Sequence, residues 1–147
     1  MDEDMVTQYI LSSFADIDTA TADGNTFFFY DPEHKFPFVT LVTNDAYDQA
    51  SNLSRPGVFR LNVGIGKQTF RALFAAPARR ADPGDDVGVD YDFAALDRLM
   101  PHPIYGQMYW VCVLNPSAET FATVVQPLLA EAYQLAVGRY GKRRSRG

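Results

Sequence analysis

Apolar and polar residues alternate strictly over residues 58–65, VFRLNVGI. Phe59, Leu61, Val63 and Ile65 point one way, and Arg60, Asn62 and Gly64 point the other. Successive side chains of a strand lie on opposite faces, so this stretch predicts a strand with one buried face. MYWVCVL (108–114) is apolar on both faces, with Tyr109, Val111 and Val113 opposite Trp110, Cys112 and Leu114. Such a strand belongs in the middle of a sheet or under cover on both sides. Strands near 17–21 and 26–30 flank the turn Asp23-Gly24-Asn25 and predict a hairpin, and FPFVTLVT (36–43) predicts the next strand.

A helical period marks other segments. Met5, Val6, Tyr9, Ile10 and Phe14 place an amphipathic helix over 4–14, behind acidic residues that suit its N-terminus. KQTFRALF (67–74) and YDFAALDRLM (91–100) read as short helices, and NPSAETFATVVQ (115–126) as a capped loop and a short helix. Pro127 fits the first turn of a final helix, whose apolar stripe is Leu128, Leu129, Ala132, Tyr133, Ala136, Val137 and Tyr140. NDAYDQASNLSRPG (44–57) is polar and rich in turn residues, around a short helical piece. AAPARRADPGDDVGVD (75–90) has no apolar period and reads as a mobile loop. The carboxylates Asp82, Asp85, Asp86 and Asp90 in it do not match a calcium-loop spacing. The sum is an α+β domain: a mostly antiparallel sheet of about five strands with N- and C-terminal helices packed on it. Residues 1–140 form the domain, and 141–147 are expected to be a basic, disordered tail.

Composition fits one folded domain: 147 residues, 47% hydrophobic and 14% aromatic. No apolar run reaches bilayer length, and the acidic start MDEDMVTQYI lacks the features of a secretory signal, so a cytoplasmic location is expected. One cysteine, Cys112, excludes an internal disulfide and a multi-cysteine zinc site. The net charge is −5. Four of the thirteen basic residues lie in the last six positions, which leaves nine basic against eighteen acidic residues elsewhere. That balance repels a phosphate backbone and makes nucleic acid an unfavoured partner.

One stretch invites a nucleotide. In RLNVGIGKQTFR (60–71) a strand runs through Gly64, Gly66 and Lys67 into a helix. A phosphate-binding loop needs G-x-x-x-x-G-K-[ST]. Here Leu61 stands five before Gly66 and Gln68 stands at the Ser/Thr position; Thr69 likewise breaks G-x-G-x-x-G. The glycines are therefore read as permitting a tight strand-to-helix turn, with an anion at the helix start as the remaining option. No nucleotide or other cofactor is expected.

The second half carries a family likeness. RLNVGIG leads into KQTFRALF; MPHPIYGQMYWVCVLNP and VQPLLAEAYQLAV follow after an insertion. Over residues 57–140 this order resembles the MmcQ/YjbR-like proteins, and the final helix resembles their LLxxSYxLV motif at Leu128–Val137. Over nearly the whole chain, TFFFYDP, RPGVFRLN and LMPHPIYG resemble a group of small uncharacterised bacterial proteins. The first likeness implies a double-wing α+β fold related to frataxin-type domains, and a DNA-binding role as one functional option.

Candidate chemistry is sparse. There is no nucleophile elbow. Cys112 lies mid-strand among apolar neighbours and reads as an inert core thiol. Of the two histidines, His34 follows Asp31 and Glu33, while His102 stands between Pro101 and Pro103 in a stiff loop. His102 is read either as aimed at a pocket or as bonded to backbone. Arg60 and Asn62 share one strand face and can address one ligand, with Tyr105, Tyr109 and Trp110 near them. Aromatics with one arginine suit a planar or anionic small molecule, or a protein hot spot; the plain alternative pairs Arg60 with an acid and sinks the aromatics in the core. A non-catalytic binding module for a small molecule or protein is the favoured reading. DNA binding and an enzyme without a recognisable motif are the alternatives. TFFFY, FPFVTLV and MYWVCVL put apolar groups on both sheet faces, so a second cover is expected, and a homodimer is one way to provide it.

Overall fold

The computed structural model of the chain describes residues 1–30, 36–78 and 91–146. Its elements in order are α1 (Glu3–Ser13), β1 (Asp18–Ala22), β2 (Asn25–Phe29), β3 (Val39–Val42), β4 (Arg60–Gly64) and α2 (Lys67–Ala78). Then come β5 (Met100–Pro101), a 3₁₀ turn (Gly106–Met108), β6 (Trp110–Leu114), α3 (Ala118–Thr120), a π turn (Phe121–Val125) and α4 (Gln126–Arg146). The strands form one antiparallel six-stranded sheet in the order β1-β2-β3-β4-β6-β5. The α+β expectation holds, with a short sixth strand added at the edge.

Local chemistry explains the elements. Asp23 and Gly24 take φ of 55° and 80°, as a two-residue hairpin turn between twisted strands requires. The Asp2 side chain accepts the Met5 N–H at 2.8 Å and caps α1. α1 buries Val6 and Ile10, while Met5 points to solvent. β4 is central, paired with β3 on one side and β6 on the other, and all five of its residues are buried. One sheet face is Phe28, Val39, Leu41, Leu61, Val63, Val111 and Val113, packed with Val6, Ile10, Leu129 and Ala132 of the helices. Full burial of each large apolar side chain is worth roughly 1.5–3 kcal/mol, which makes this layer the main core.

The opposite face is divided. Val42, Met100, Cys112 and Leu114 are covered by Leu53, with Val58, Tyr91 and Phe93 packed against them. The covering segment after β3 is pinned at several points. Thr43 N–H donates to Asn25 Oδ1 at 2.7 Å, Asn44 Nδ2 to the Asp23 carbonyl at 2.6 Å, and Arg55 Nη2 to the Ala94 carbonyl at 2.9 Å. The chain itself thus supplies part of the cover that the apolar strands demand. The rest of this face, around Phe27, Thr40, Arg60, Asn62 and Trp110, borders a cavity.

Five expectations change. Residues 91–100 form no helix: Asp92 Oδ1 accepts the Ala94 N–H, Asp97 takes a φ of 58°, and Met100 enters β5. Short polar side chains that bond nearby backbone favour turns over helices. The segments on either side of Pro127 form one continuous helical run, because a π turn precedes the proline and Gln126 N–H bonds the Phe121 carbonyl. A π turn is a recognised way for a helix to absorb a residue that cannot donate. Tyr109 is not in β6; its φ of 68° turns it out of register. α4 continues to Arg146, past the boundary set at residue 140. Residues 75–78 of the loop expected over 75–90 belong to α2; the rest of it, 79–90, lies outside the described residues, as do His34 and the carboxylates Asp82, Asp85, Asp86 and Asp90.

Candidate functional site

The glycine-rich turn resolves first. Glu131 of α4 reaches the start of α2, where its carboxylate accepts the Gly66 N–H at 2.7 Å and the Thr69 hydroxyl at 2.6 Å. A helix N-terminus favours negative charge, and here the anion is the protein's own. Gly64 has a different reason from the expected turn. A Cβ there would lie 2.9 Å from Trp110 Cε2, so the absent side chain lets the indole lie across β4.

That indole forms one wall of a cavity of about 680 Å³ on the second sheet face. Phe27, Phe36, Tyr47, Tyr105 and Met108 complete an apolar surround, while Thr40, Asp48, Arg60, Asn62 and His102 supply the polar groups. Phe36, Tyr47, Tyr105 and Met108 are each more than half exposed. The polar groups are different: Arg60 is 1%, Asn62 2% and His102 5% exposed.

Burying a guanidinium demands partners, and Arg60 has them. Nη1 and Nη2 donate to Asp48 Oδ1 and Oδ2 at 3.0 and 2.7 Å, a fork-to-fork ion pair. Nη1 also donates to Ser51 Oγ at 3.0 Å, and Nε to Asn62 Oδ1 at 3.0 Å. Asn62 Nδ2 in turn donates to Thr40 Oγ1 at 2.9 Å. The result is a directed chain, Arg60 to Asn62 to Thr40, lying across β4 and β3 at paired positions 62 and 40. The hydrogen bond from Arg60 holds the Asp48 carboxyl below its ordinary range.

His102 is set by its loop. Its N–H bonds the Trp110 carbonyl at 2.9 Å and its carbonyl accepts the Gly106 N–H at 3.0 Å. Its Nδ1 accepts both the Ile104 and Tyr105 N–H groups at 3.0 Å. The Tyr105 ring lies 5.0 Å from the imidazole, centroid to centroid. Burial, joined by the nearby Arg60 charge, lowers the His102 pKa to about 3. The imidazole is therefore neutral near pH 7, with its basic nitrogen already engaged, so it offers a donor and no general base.

Five of the six residues singled out by sequence, Arg60, Asn62, His102, Tyr105 and Trp110, line this one cavity. Tyr109 does not: its ring packs 5.7 Å from Phe70 of α2, on the helical side of the sheet. The face of β4 read as polar and open is buried. Asp48 and Ser51 are members that sequence reasoning missed. The available signal was a rule: a buried arginine needs a carboxylate, and the 44–57 segment holds two, Asp45 and Asp48. Cys112 is buried, its pKa pushed up to about 12 by burial, and it is no nucleophile. Among the described residues no group of three or more His, Cys, Asp or Glu could hold a metal, and no helix is long and apolar enough to cross a membrane.

Fold and site define an α+β domain with helices on one sheet face and an aromatic-rimmed cavity on the other. A model of a family of unknown function, DUF6194, matches residues 1–145, and the chain belongs to that family. No curated protein and no solved structure matches it.

Proposed function

We propose that this protein is a non-catalytic binding domain whose cavity takes a small, mainly apolar molecule with a polar end. One observation carries the reading: a buried polar network lies at the base of an otherwise aromatic cavity of about 680 Å³. Ligand sites have this composition, mostly apolar walls with a few fixed polar groups that orient the guest. A buried Arg60–Asp48 pair is a weak source of stability compared with an apolar core, so its presence at a cavity supports a recognition role.

Catalysis is the weaker reading because the cavity's histidine has no free basic nitrogen and the chain's one cysteine is a protonated thiol in the core, away from the cavity. Nucleic acid is weaker still, since the Arg60 charge is matched by Asp48 and the chain is acidic overall. The test is a thermal-shift screen of small planar organic compounds on wild type and on Thr40→Phe, which fills the cavity from the centre of β3. A ligand at about a hundred times its Kd adds about 2.7 kcal/mol of stability. Hits that stabilise wild type and not the variant support the reading; hits that stabilise both equally place binding elsewhere and refute it.

A further inference from the structure

The cavity's polar groups specify what the guest must bring, an inference that rests on the binding reading above. Arg60 has five N–H bonds. Four are used: Nε on Asn62, both Nη1 hydrogens on Asp48 and Ser51, and one Nη2 hydrogen on Asp48. The fifth faces His102 Nε2 at 3.5 Å. That contact is a hydrogen bond only if Nε2 is the bare nitrogen. His102 Nδ1, however, accepts two backbone N–H groups at 3.0 Å, so its lone pair is in use and it carries no proton. A neutral imidazole with a bare Nδ1 has its proton on Nε2. Two good bonds outweigh one long one, and the tautomer follows.

The consequence is a pair of donors, Nη2–H of Arg60 and Nε2–H of His102, on nitrogens 3.5 Å apart. Both side chains border the cavity. Among the described residues, no acceptor completes this pair. Buried donors without acceptors are costly and uncommon, and at a cavity they mark a place for a ligand atom. We infer that Arg60 and His102 form a two-donor seat for one acceptor oxygen, and that the cavity's ligand is a planar molecule bearing a neutral carbonyl. One carbonyl oxygen has two lone pairs and accepts both N–H groups at once.

Charge selects carbonyl over carboxylate. Asp48 already neutralises Arg60 through both oxygens. A ligand carboxylate would bring a second negative charge into a buried site with no second cation, whereas a ketone, amide or ester brings none. Shape selects a flat body, since Phe27, Tyr105 and Trp110 line the same cavity. A water molecule is the competing occupant of the same two donors.

The single tryptophan, Trp110, gives a site-specific readout through its one indole N–H cross-peak in ¹⁵N-labelled protein. The probes are acetophenone, ethylbenzene and benzoate, which share a ring and differ in the group at the seat. Burial of apolar area alone ranks ethylbenzene first. The donor pair reverses that order, and acetophenone is expected to bind at least about tenfold more tightly than either other compound. In His102→Asn the new amide oxygen can still accept the loop N–H groups, but the Nε2–H is gone; the acetophenone advantage should fall to about threefold or less. Ethylbenzene binding as tightly as acetophenone overturns the seat and assigns it to water, while the binding reading survives. Benzoate binding most tightly overturns the neutral class. No shift with acetophenone or benzoate up to roughly ten millimolar, a concentration that detects even millimolar Kd values, nor with ethylbenzene at saturation, overturns both the seat and the binding reading. Should the variant fail to fold, the three-probe order on wild type decides alone.

Discussion

The buried neutral His102 makes the protein sensitive to acid at an unusual pH. Burial and the Arg60 charge lower its pKa from 6.5 to about 3. In the unfolded chain the imidazole is protonated near its ordinary value of about 6.5. Between those two values the unfolded state holds a proton that the folded state does not, so lowering the pH favours unfolding. The contribution is complete above about pH 6.5 and is lost as pH falls toward 3. Each pH unit in that window costs about 1.36 kcal/mol, so going from about pH 7.5 to about pH 5 removes about 2 kcal/mol. The Asp48 carboxyl, held low by the Arg60 hydrogen bond, loses its contribution only below about pH 5, where an unfolded Asp begins to protonate. The two windows overlap at the acid end, so the interval from about pH 7.5 to about pH 5 is the one that reads His102. Urea unfolding at both pH values, on wild type and His102→Asn, isolates the imidazole, since every other group is common to the two proteins. Whatever constant offset the variant carries, its change between the two pH values should be smaller than that of wild type by about 2 kcal/mol. Parallel changes, or a His102 ring proton titrating near 6.5 by NMR, would refute the buried-neutral account.

Three further outcomes follow from named contacts. Asp48→Asn leaves Arg60 buried without its counter-charge and should lower unfolding free energy by about 2–4 kcal/mol in urea; a loss under about 0.5 kcal/mol would show that water replaces Asp48. Glu131→Ala exposes the start of α2 and removes two hydrogen bonds, so a loss of about 1–2 kcal/mol is expected, with the melting temperature as the check. An unchanged melting temperature would contradict the capping role. Gly64→Ala drives a methyl into Trp110 and should shift the tryptophan emission maximum and weaken cavity binding; unchanged emission would mean that the indole has room to spare.

The sequence made much of the frame legible because periodic burial is written into it. The alternation of Phe59, Leu61, Val63 and Ile65 identified β4, and Asp23-Gly24 identified the hairpin. What failed had a physical cause in each case. The 91–100 segment has helix-like spacing, but Asp92 bonds the nearby Ala94 N–H, and Asp97, at a φ of 58°, accepts the distant Ser117 N–H, so the chain turns instead. Tyr109 alternates correctly with Val111 on paper, but its left-handed backbone breaks the count before β6 starts. Pro127 does fall in the first turn of α4, as local rules place it; what they miss is the π turn that joins α4 to the helical turn before it. The site was half visible. Arg60, Asn62, His102, Tyr105 and Trp110 were found because a polar pair interrupts an apolar strand and prolines stiffen the facing loop. Asp48 and Ser51 were not, because an irregular segment has no period from which to tell which of its polar side chains turns inward. Nor does a pattern of residues reveal a tautomer, which depends on two loop N–H groups meeting one ring nitrogen.

The central claim is that the cavity on the open sheet face binds a ligand. Its most direct test is a backbone ¹H–¹⁵N shift map of the protein titrated with acetophenone. Binding as described moves the signals of Phe27, Thr40, Tyr47, Arg60, Asn62, His102 and Tyr105 together with the Trp110 indole, along one saturating curve. Signals on the helical face, such as Val6, Ile10 and Leu129, should stay in place. Saturating shifts gathered on that helical face, with the cavity residues unmoved, would contradict the account.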